Sequence, residues 1–218
     1  MGKRGNRRQS VVKLRLYVEG GGVRKTSRSA CRRGFQRFVE KSGLKGRMPE
    51  IIASGSRMNA YTRFAKRSKI TANEDECALL LVDAEGPVRN QRSWEHLKDR
   101  DGWNRPDGTT DDQCHLMVQA MESWFLADRT TLAKHYGQRF QESALPSNPQ
   151  IEQIAKIDVV NGLIRASRST TKGSYDKGRH SFEILAKIDP EKVTAVSSHA
   201  GQFVKTLFKL TGGQTPAV

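Results

Sequence analysis

The apolar positions along this chain follow two periods, and the period changes where glycine or proline interrupts it. Val11, Val12, Leu14, Leu16 and Val18 form a β-rich run with partial alternation, which predicts a first strand ending at Glu19. Gly20, Gly21 and Gly22 follow at once, and such a run permits a tight turn and close approach of backbone to a ligand. From about Lys25 to Ser42 the spacing becomes helical, with Ala30, Phe35, Phe38 and Val39 as its apolar or small positions. Ile51, Ile52 and Ala53, after Pro49, predict a second short strand. Asn59 to Ser68 predicts a second helix with Tyr61, Phe64 and Ala65 on one side. Cys77 to Val82 is a continuous apolar run bounded by charge, the pattern of a central strand buried on both faces. Asp83, Glu85, Gly86 and Pro87 follow at its C-terminal end.

Further on, Arg89 to Asp112 is polar and rich in turn residues, and reads as a long loop with one helical turn at Trp94 to Lys98. His115 to Val118 predicts another strand. Glu122 to Ala133 predicts a single helix carrying Trp124, Phe125, Leu126 and Leu132, aromatic and aliphatic positions that read as core rather than as a platform for nucleobases. Pro146 and Pro149 break the chain. From about Ile151 a second part holds two or three helices around a basic, glycine-containing stretch, Arg165 to His180. Strands alternating with helices give an α/β class with a mainly parallel, Rossmann-like sheet flanked by helices and a C-terminal helical extension. The expected organisation is a flexible basic arm over 1–10, an α/β domain over 11–145, a basic helical extension over 150–210 and a tail over 211–218.

Charge narrows the partner. The 218 residues carry a net charge of +15, and a surface that basic attracts polyanions, with nucleic acid the default. The three cysteines, Cys31, Cys77 and Cys114, are widely spaced and form no CxxC pair, so neither a zinc ribbon nor a disulfide framework is expected. The apolar run Ala78 to Val82 is too short to span a bilayer and no apolar signal region follows the basic N-terminus, so the expected location is the cytoplasm.

The acids carry the chemistry. In open α/β sheets ligands sit at the C-terminal ends of strands, and here two strands end in carboxylates: Glu19 after the first, Asp83 and Glu85 after the buried one. If those strands are neighbours, three carboxylates meet and repel one another unless a cation joins them. Hard oxygen ligands of this kind suit Mg²⁺ or Mn²⁺. Positions i and i+2 of an extended chain point the same way, so Asp83 and Glu85 are expected to share one ion. Glu122 reads equally as a fourth ligand or as an acid favoured by the start of a helix.

Around these acids, Arg24, Lys25, Arg28 and Arg32 lie at helical spacing beside the glycines, with Arg33 and Arg37 further on. Lys172, Lys177 and Arg179 are interleaved with hydroxyls and glycines that grip phosphate oxygens. Tyr175 is a candidate for stacking on a base, and His180 a candidate catalytic histidine beside two cations. The glycine run lacks a following Gly-Lys-Ser/Thr, so it is not a nucleotide-triphosphate loop and any ATP dependence belongs to a partner.

The strand Val11 to Val18 followed by Glu19-Gly20, and the strand Leu79 to Val82 followed by Asp83-Ala84-Glu85, resemble the TOPRIM family of topoisomerases, primases and overcoming-lysogenization-defect nucleases. That family has a Glu-Gly loop after its first strand and an Asp-x-Asp motif after a later one. More narrowly, Met121 to Asp128 and Lys177-Gly178-Arg179-His180 resemble a TOPRIM-related group encoded beside ABC-type or AAA-type ATPases in bacterial phage-defence clusters. Two departures stand out. Gly22-Val23-Arg24 lacks the Asp that usually follows the Glu-Gly loop, and Glu85 replaces the second Asp.

The resemblance implies a metal-dependent nuclease in which Asp83 and Glu85 anchor Mg²⁺ or Mn²⁺ and Glu19 completes the site or exchanges a proton with the leaving oxygen. None of Tyr17, Tyr61, Tyr136 and Tyr175 sits in a recognisable nucleophile domain, which favours hydrolysis over strand passage. It further implies an anti-phage effector with an ATPase partner and accommodates a homo-oligomer. Two rivals share the charge pattern: a non-catalytic nucleic-acid-binding adaptor, and an RNase cutting tRNA.

Overall fold

The computed structural model describes residues 13–70, 76–89 and 92–212, so the basic arm and the last six residues lie outside the described part. Four strands, β1 (Lys13–Val18), β2 (Glu50–Ala53), β3 (Glu76–Asp83) and β4 (Cys114–Met117), form one sheet in the order β2-β1-β3-β4. Every pairing is parallel; Leu16 faces Ile51 on one side and Leu79 on the other. The protein is therefore an α/β fold with a parallel sheet flanked by helices, as the alternating periods predict.

The two faces of β3 explain its unbroken apolar run. Ala78, Leu80 and Val82 pack on one side with Ala60 and Phe64 of α2 (Arg57–Ile70) and Trp94 and Leu97 of α3 (Ser93–Asp101). Leu79 and Leu81 face the other way, into a larger core with Phe35 and Phe38 of α1 (Lys25–Val39). That second core continues without a break into the C-terminal half. It takes in Trp124 and Phe125 of α4 (Met121–Phe125), Leu132 of α5 (Arg129–Tyr136) and Leu163 of α6 (Lys156–Ser167). Ile184 of α7 (Lys177–Lys187), Val193 of α8 (Pro190–Val196) and Phe203 of α9 (Ser198–Leu210) belong to it as well. Trp124 stacks on Phe38 with ring centroids 4.9 Å apart, which is the core role its spacing predicts.

Helix α7 lies against α1 so closely that a Cβ on Gly34 would meet the Phe182 carbonyl oxygen at 2.9 Å. The helical extension is thus seated on the first helix of the sheet domain, with its N-terminus at the C-terminal edge of the strands.

Three local expectations are corrected. The single turn near Trp94 is a nine-residue helix, α3, closed by Gly102 in the left-handed region (φ 70°). The helix expected over Glu122 to Ala133 is interrupted: α4 ends at Phe125, and Asp128 starts α5 by accepting from the Thr131 N–H at 3.3 Å. The basic stretch Arg165 to His180 is not one loop. Arg165 closes α6, and Lys177, Arg179 and His180 form the first turn of α7, capped by Asp176.

Candidate metal centre

Parallel pairing of β1 with β3 brings their C-terminal ends side by side, which puts Glu19 next to Asp83. Glu19 Oε2 accepts the Asp83 N–H at 3.2 Å. One oxygen each of Glu19, Asp83 and Glu85 lies within 4.8 Å of the others. The means of bringing in Glu85 differs from expectation. The chain leaves the extended conformation after Asp83, and Glu85 adopts φ 65°, a left-handed backbone that a non-glycine residue seldom takes. Its N–H donates to the Gln119 carbonyl at 2.7 Å, which holds that turn against the segment after β4. A turn, not strand alternation, aims the third carboxylate inward.

The glycine run has a steric reason. Gly20 (φ 118°) and Gly55 exchange backbone hydrogen bonds of 2.8 and 2.9 Å, tying the loop after β1 to the loop after β2. A Cβ on Gly21 (φ 86°) would sit 2.8 Å from the Arg28 Cα. Arg28 in turn donates from Nε to the Gly22 carbonyl at 3.2 Å, so it ties down the loop while Arg24, just before α1, and Lys25 and Arg32 within it are exposed.

Asp83 is 2% exposed. Its Oδ1 accepts the Met121 N–H at 2.8 Å, and its Oδ2 lies 3.4 Å from Lys177 Nζ and 3.6 Å from Lys156 Nζ. Lys156 also donates to Glu85 Oε1 at 2.6 Å. Lys177 reaches Glu122 Oε1 at 3.4 Å. Glu122 is fully buried. Tyr175 donates its hydroxyl to Glu122 Oε1 at 2.8 Å, while Glu122 Oε2 has no hydrogen-bond partner among the described residues. Glu122 therefore stands beside the trio, linked to Asp83 through one ammonium, and not within the 4.8 Å group itself.

Electrostatics follow from this crowding. Burial, reinforced by the charge of Asp83, pushes Glu19 up to about 7. Burial also raises Asp83, with Lys177 pulling down and Glu122 pushing up. Glu85 moves the other way: burial raises it, but the hydrogen bond and charge of Lys156 outweigh that and the net shift is downward. Lys177 loses solvation, yet Asp83, Glu122 and Glu19 together hold its ammonium firmly protonated, with a raised pKa.

Two further groups matter here and carry no motif of their own. Lys156 opens α6, and Arg57 opens α2. Arg57 Nε donates to the Asp83 carbonyl at 2.9 Å and lies 3.9 Å from Glu19 Oε2, while Nη1 pairs with Asp101 at 2.5 Å and the guanidinium covers the Trp103 ring at 4.7 Å. The signal available in sequence was only that both cations start a helix.

Two expectations fail. Tyr175 is 5% exposed and donates to Glu122, so it is a buried prop and not a base-stacking platform. His180 is also 5% exposed; its Nδ1 accepts the Asp176 N–H at 3.1 Å and lies 3.4 Å from the Tyr136 hydroxyl. Burial and the neighbouring Arg179 lower its pKa. It packs inside α7 against Tyr136 and Tyr175 and is not brought to the carboxylates. Lys172 and Arg179 are exposed nearby.

The family model for a domain of unknown function, DUF4276, matches residues 18–208. The chain belongs to the DUF4276 family. No curated protein matches it, and no solved structure does. The DUF4276 match runs from the end of β1 into α9, so it includes all four acids and both lysines that hold them.

Among the described residues, no helix is long and apolar enough to cross a membrane.

Proposed function

We propose that this protein is a divalent-metal-dependent nuclease that hydrolyses phosphodiester bonds of nucleic acid. The observation that carries the proposal is the convergence of Glu19, Asp83 and Glu85 oxygens within 4.8 Å in a chain of net charge +15. The donor set fits Mg²⁺ or Mn²⁺, because all three ligand atoms are hard carboxylate oxygens. Glu122, linked to Asp83 through Lys177, keeps one buried oxygen without a hydrogen-bond partner among the described residues. When bound, such a cation neutralises charge at a phosphate and activates water for attack.

The chain's own groups do the rest. Asp83 and Glu85 provide the anchoring oxygens. Glu19, fixed through Oε2 by the Asp83 N–H, keeps Oε1 for exchanging a proton. Lys156 and Lys177 hold the acids together, and Lys177, half exposed, is at hand for a phosphate oxygen. Arg24 at the start of α1 and Lys25 and Arg32 on it, with Lys172 and Arg179, supply a basic approach. The Glu19-Gly20 and Asp83-Ala84-Glu85 order at the ends of adjacent parallel strands supports a TOPRIM-like reading. On that resemblance we place the protein in the bacterial cytoplasm as an anti-phage effector working with an ABC-type or AAA-type ATPase.

One observation favours a second reading. The acids already have ammonium partners in Lys156 and Lys177, which offset their charge without a metal, as suits a non-catalytic nucleic-acid-binding adaptor. Incubation with plasmid, single-stranded DNA and total tRNA, with Mg²⁺, Mn²⁺ or EDTA, alone and with any neighbouring ATPase, separates the two. Metal-dependent cutting that falls by more than about a thousandfold in Asp83→Ala establishes the nuclease and names its substrate, tRNA included. Salt-sensitive binding without cutting in any arm establishes the adaptor.

A further inference from the structure

Two ammoniums reach the same oxygen of Asp83, Lys156 at 3.6 Å and Lys177 at 3.4 Å, yet their second partners differ. Lys156 also donates to Glu85 Oε1 at 2.6 Å, so its charge touches two acids of the candidate metal-binding trio. Lys177 reaches Glu122 Oε1 at 3.4 Å, outside that trio. Burial separates the two lysines further. The side chains of Glu85 and Lys156 are 23% and 28% exposed, whereas Glu122 is fully buried. Besides Lys177, the donor that Glu122 has among the described residues is the Tyr175 hydroxyl, and its Oε2 has none. Were Lys177 to leave, Glu122 would be a buried charge without a counter-ion, a costly state. Were Lys156 to leave, Glu85 would keep its contact with water. The main chain beneath Lys156 is fixed all the same. Gln119, 5% exposed, accepts the Lys156 N–H through Oε1 at 3.3 Å and the Glu85 N–H through its carbonyl at 2.7 Å. The backbone of the pair is held together while the long, flexible lysine stem is able to turn outward.

We infer that Lys156 is a resident counter-ion that gives up its place at Asp83 and Glu85 when Mg²⁺ or Mn²⁺ binds, whereas Lys177 stays. The inference rests on the metal-dependent reading above and adds to it the residue that sets metal affinity. The charges decide the sign. An ammonium and a divalent cation compete for the same carboxylate charge and repel one another across it. Lys156 therefore stabilises the metal-free acids and opposes the ion that replaces it. Lys177 has a different duty, because the buried charge of Glu122 needs its ammonium whether or not the trio is loaded.

The test is Mn²⁺ binding by the full chain in isothermal titration calorimetry, together with acylation of its amines read residue by residue in a mass spectrometer. Lys156→Met is expected to bind Mn²⁺ about tenfold more tightly than the natural chain, since one adjacent opposite charge changes a carboxylate's hold on a cation by about that factor or more. In the natural chain, saturating Mn²⁺ is expected to raise the acylation of Lys156 severalfold and to leave that of Lys177 unchanged. Both effects should vanish in Asp83→Asn. Binding seen only in Lys156→Met supports the inference in its strongest form. Equal or weaker binding by Lys156→Met overturns it, as does acylation of Lys156 that Mn²⁺ leaves unchanged in the natural chain, a measurement that needs no variant to fold. Acylation that rises at Lys177 and not at Lys156 also overturns it, by assigning the exchange to the other lysine. Absence of Mn²⁺ binding by the natural chain and Lys156→Met alike defeats the metal reading itself, a result distinct from Mn²⁺ binding that ignores Lys156.

Discussion

Asp83 and Asp128 are equally buried, each 2% exposed, and each accepts a backbone N–H from the first turn of a helix, Met121 of α4 and Thr131 of α5. Their surroundings are opposite. Asp128 accepts from the Thr131 N–H and hydroxyl, the Asp189 N–H and Lys192 Nζ, the last at 2.7 Å. Burial raises its pKa, but these donors outweigh that and hold the carboxyl below its usual range. It fastens α5 to α8 and its charge is satisfied. Asp83 has one backbone donor and two ammoniums, but also three other carboxylates close by, and its pKa is raised. A buried acid that serves the fold is surrounded by donors, whereas one kept among like charges leaves room for a cation that is not part of the chain.

The sharpest way to break this contrast is to neutralise each aspartate. Asp128→Ala removes the acceptor of the Thr131 N–H and hydroxyl and of the Asp189 N–H, and is expected to cost about 3 kcal/mol, or roughly 10 °C in Tm. Asp83→Asn keeps an oxygen for the Met121 N–H and removes like-charge repulsion. In EDTA its stability is expected to lie within about 1 kcal/mol of the natural chain, or above it. Chemical denaturation of both variants checks the pair, and a large loss in Asp83→Asn would make that residue structural.

Metal addition should give a somewhat smaller effect. At Mg²⁺ or Mn²⁺ a hundredfold above its dissociation constant, the natural chain and Asp128→Ala should each gain about 2.7 kcal/mol, and Asp83→Asn essentially nothing. Differential scanning with and without EDTA reads this directly.

The smallest effect is in pH. Glu19 titrates near 7 in the folded protein, above its ordinary value of 4.5, so the native state binds the extra proton between those values. Metal-free stability is therefore expected to fall as pH rises from about 4.5 to about 7, by on the order of 2 kcal/mol, and Glu19→Gln should shrink that limb to the part carried by Asp83, whose pKa is raised as well. Asp128 has the opposite sign: its contribution is present above the unfolded carboxyl value and lost as pH falls through its lowered folded value. Urea midpoints across the range, in EDTA, separate the two limbs.

The strands were legible because burial on two faces leaves an unbroken apolar run, as at Leu79 to Val82, and burial on one side leaves a helical period, as at Phe35 and Phe38. Glu19, Asp83 and Glu85 were legible because acids directly after buried strands leave few places to go. The interruption between α4 and α5 was hidden: Leu126 stays in the core across it, so the apolar pattern does not change. Lys156 and Arg57 were hidden for another reason. A basic residue opening a helix in a chain with 38 of them carries no distinguishing pattern, and only the tertiary fold shows which ones meet the acids. His180 misled because cations flank it in sequence while its ring turns inward to Tyr136.

The lysines that balance the acids arrive late in the chain: Lys156 lies 71 residues after Glu85 and Lys177 lies 94 after Asp83. During synthesis the sheet and its carboxylates leave the ribosome long before their counter-ions do. A product stalled or clipped ahead of Lys156 carries the acids without either ammonium and without the helix that seals Gly34, so the constellation belongs to the whole polypeptide and to no shorter piece of it.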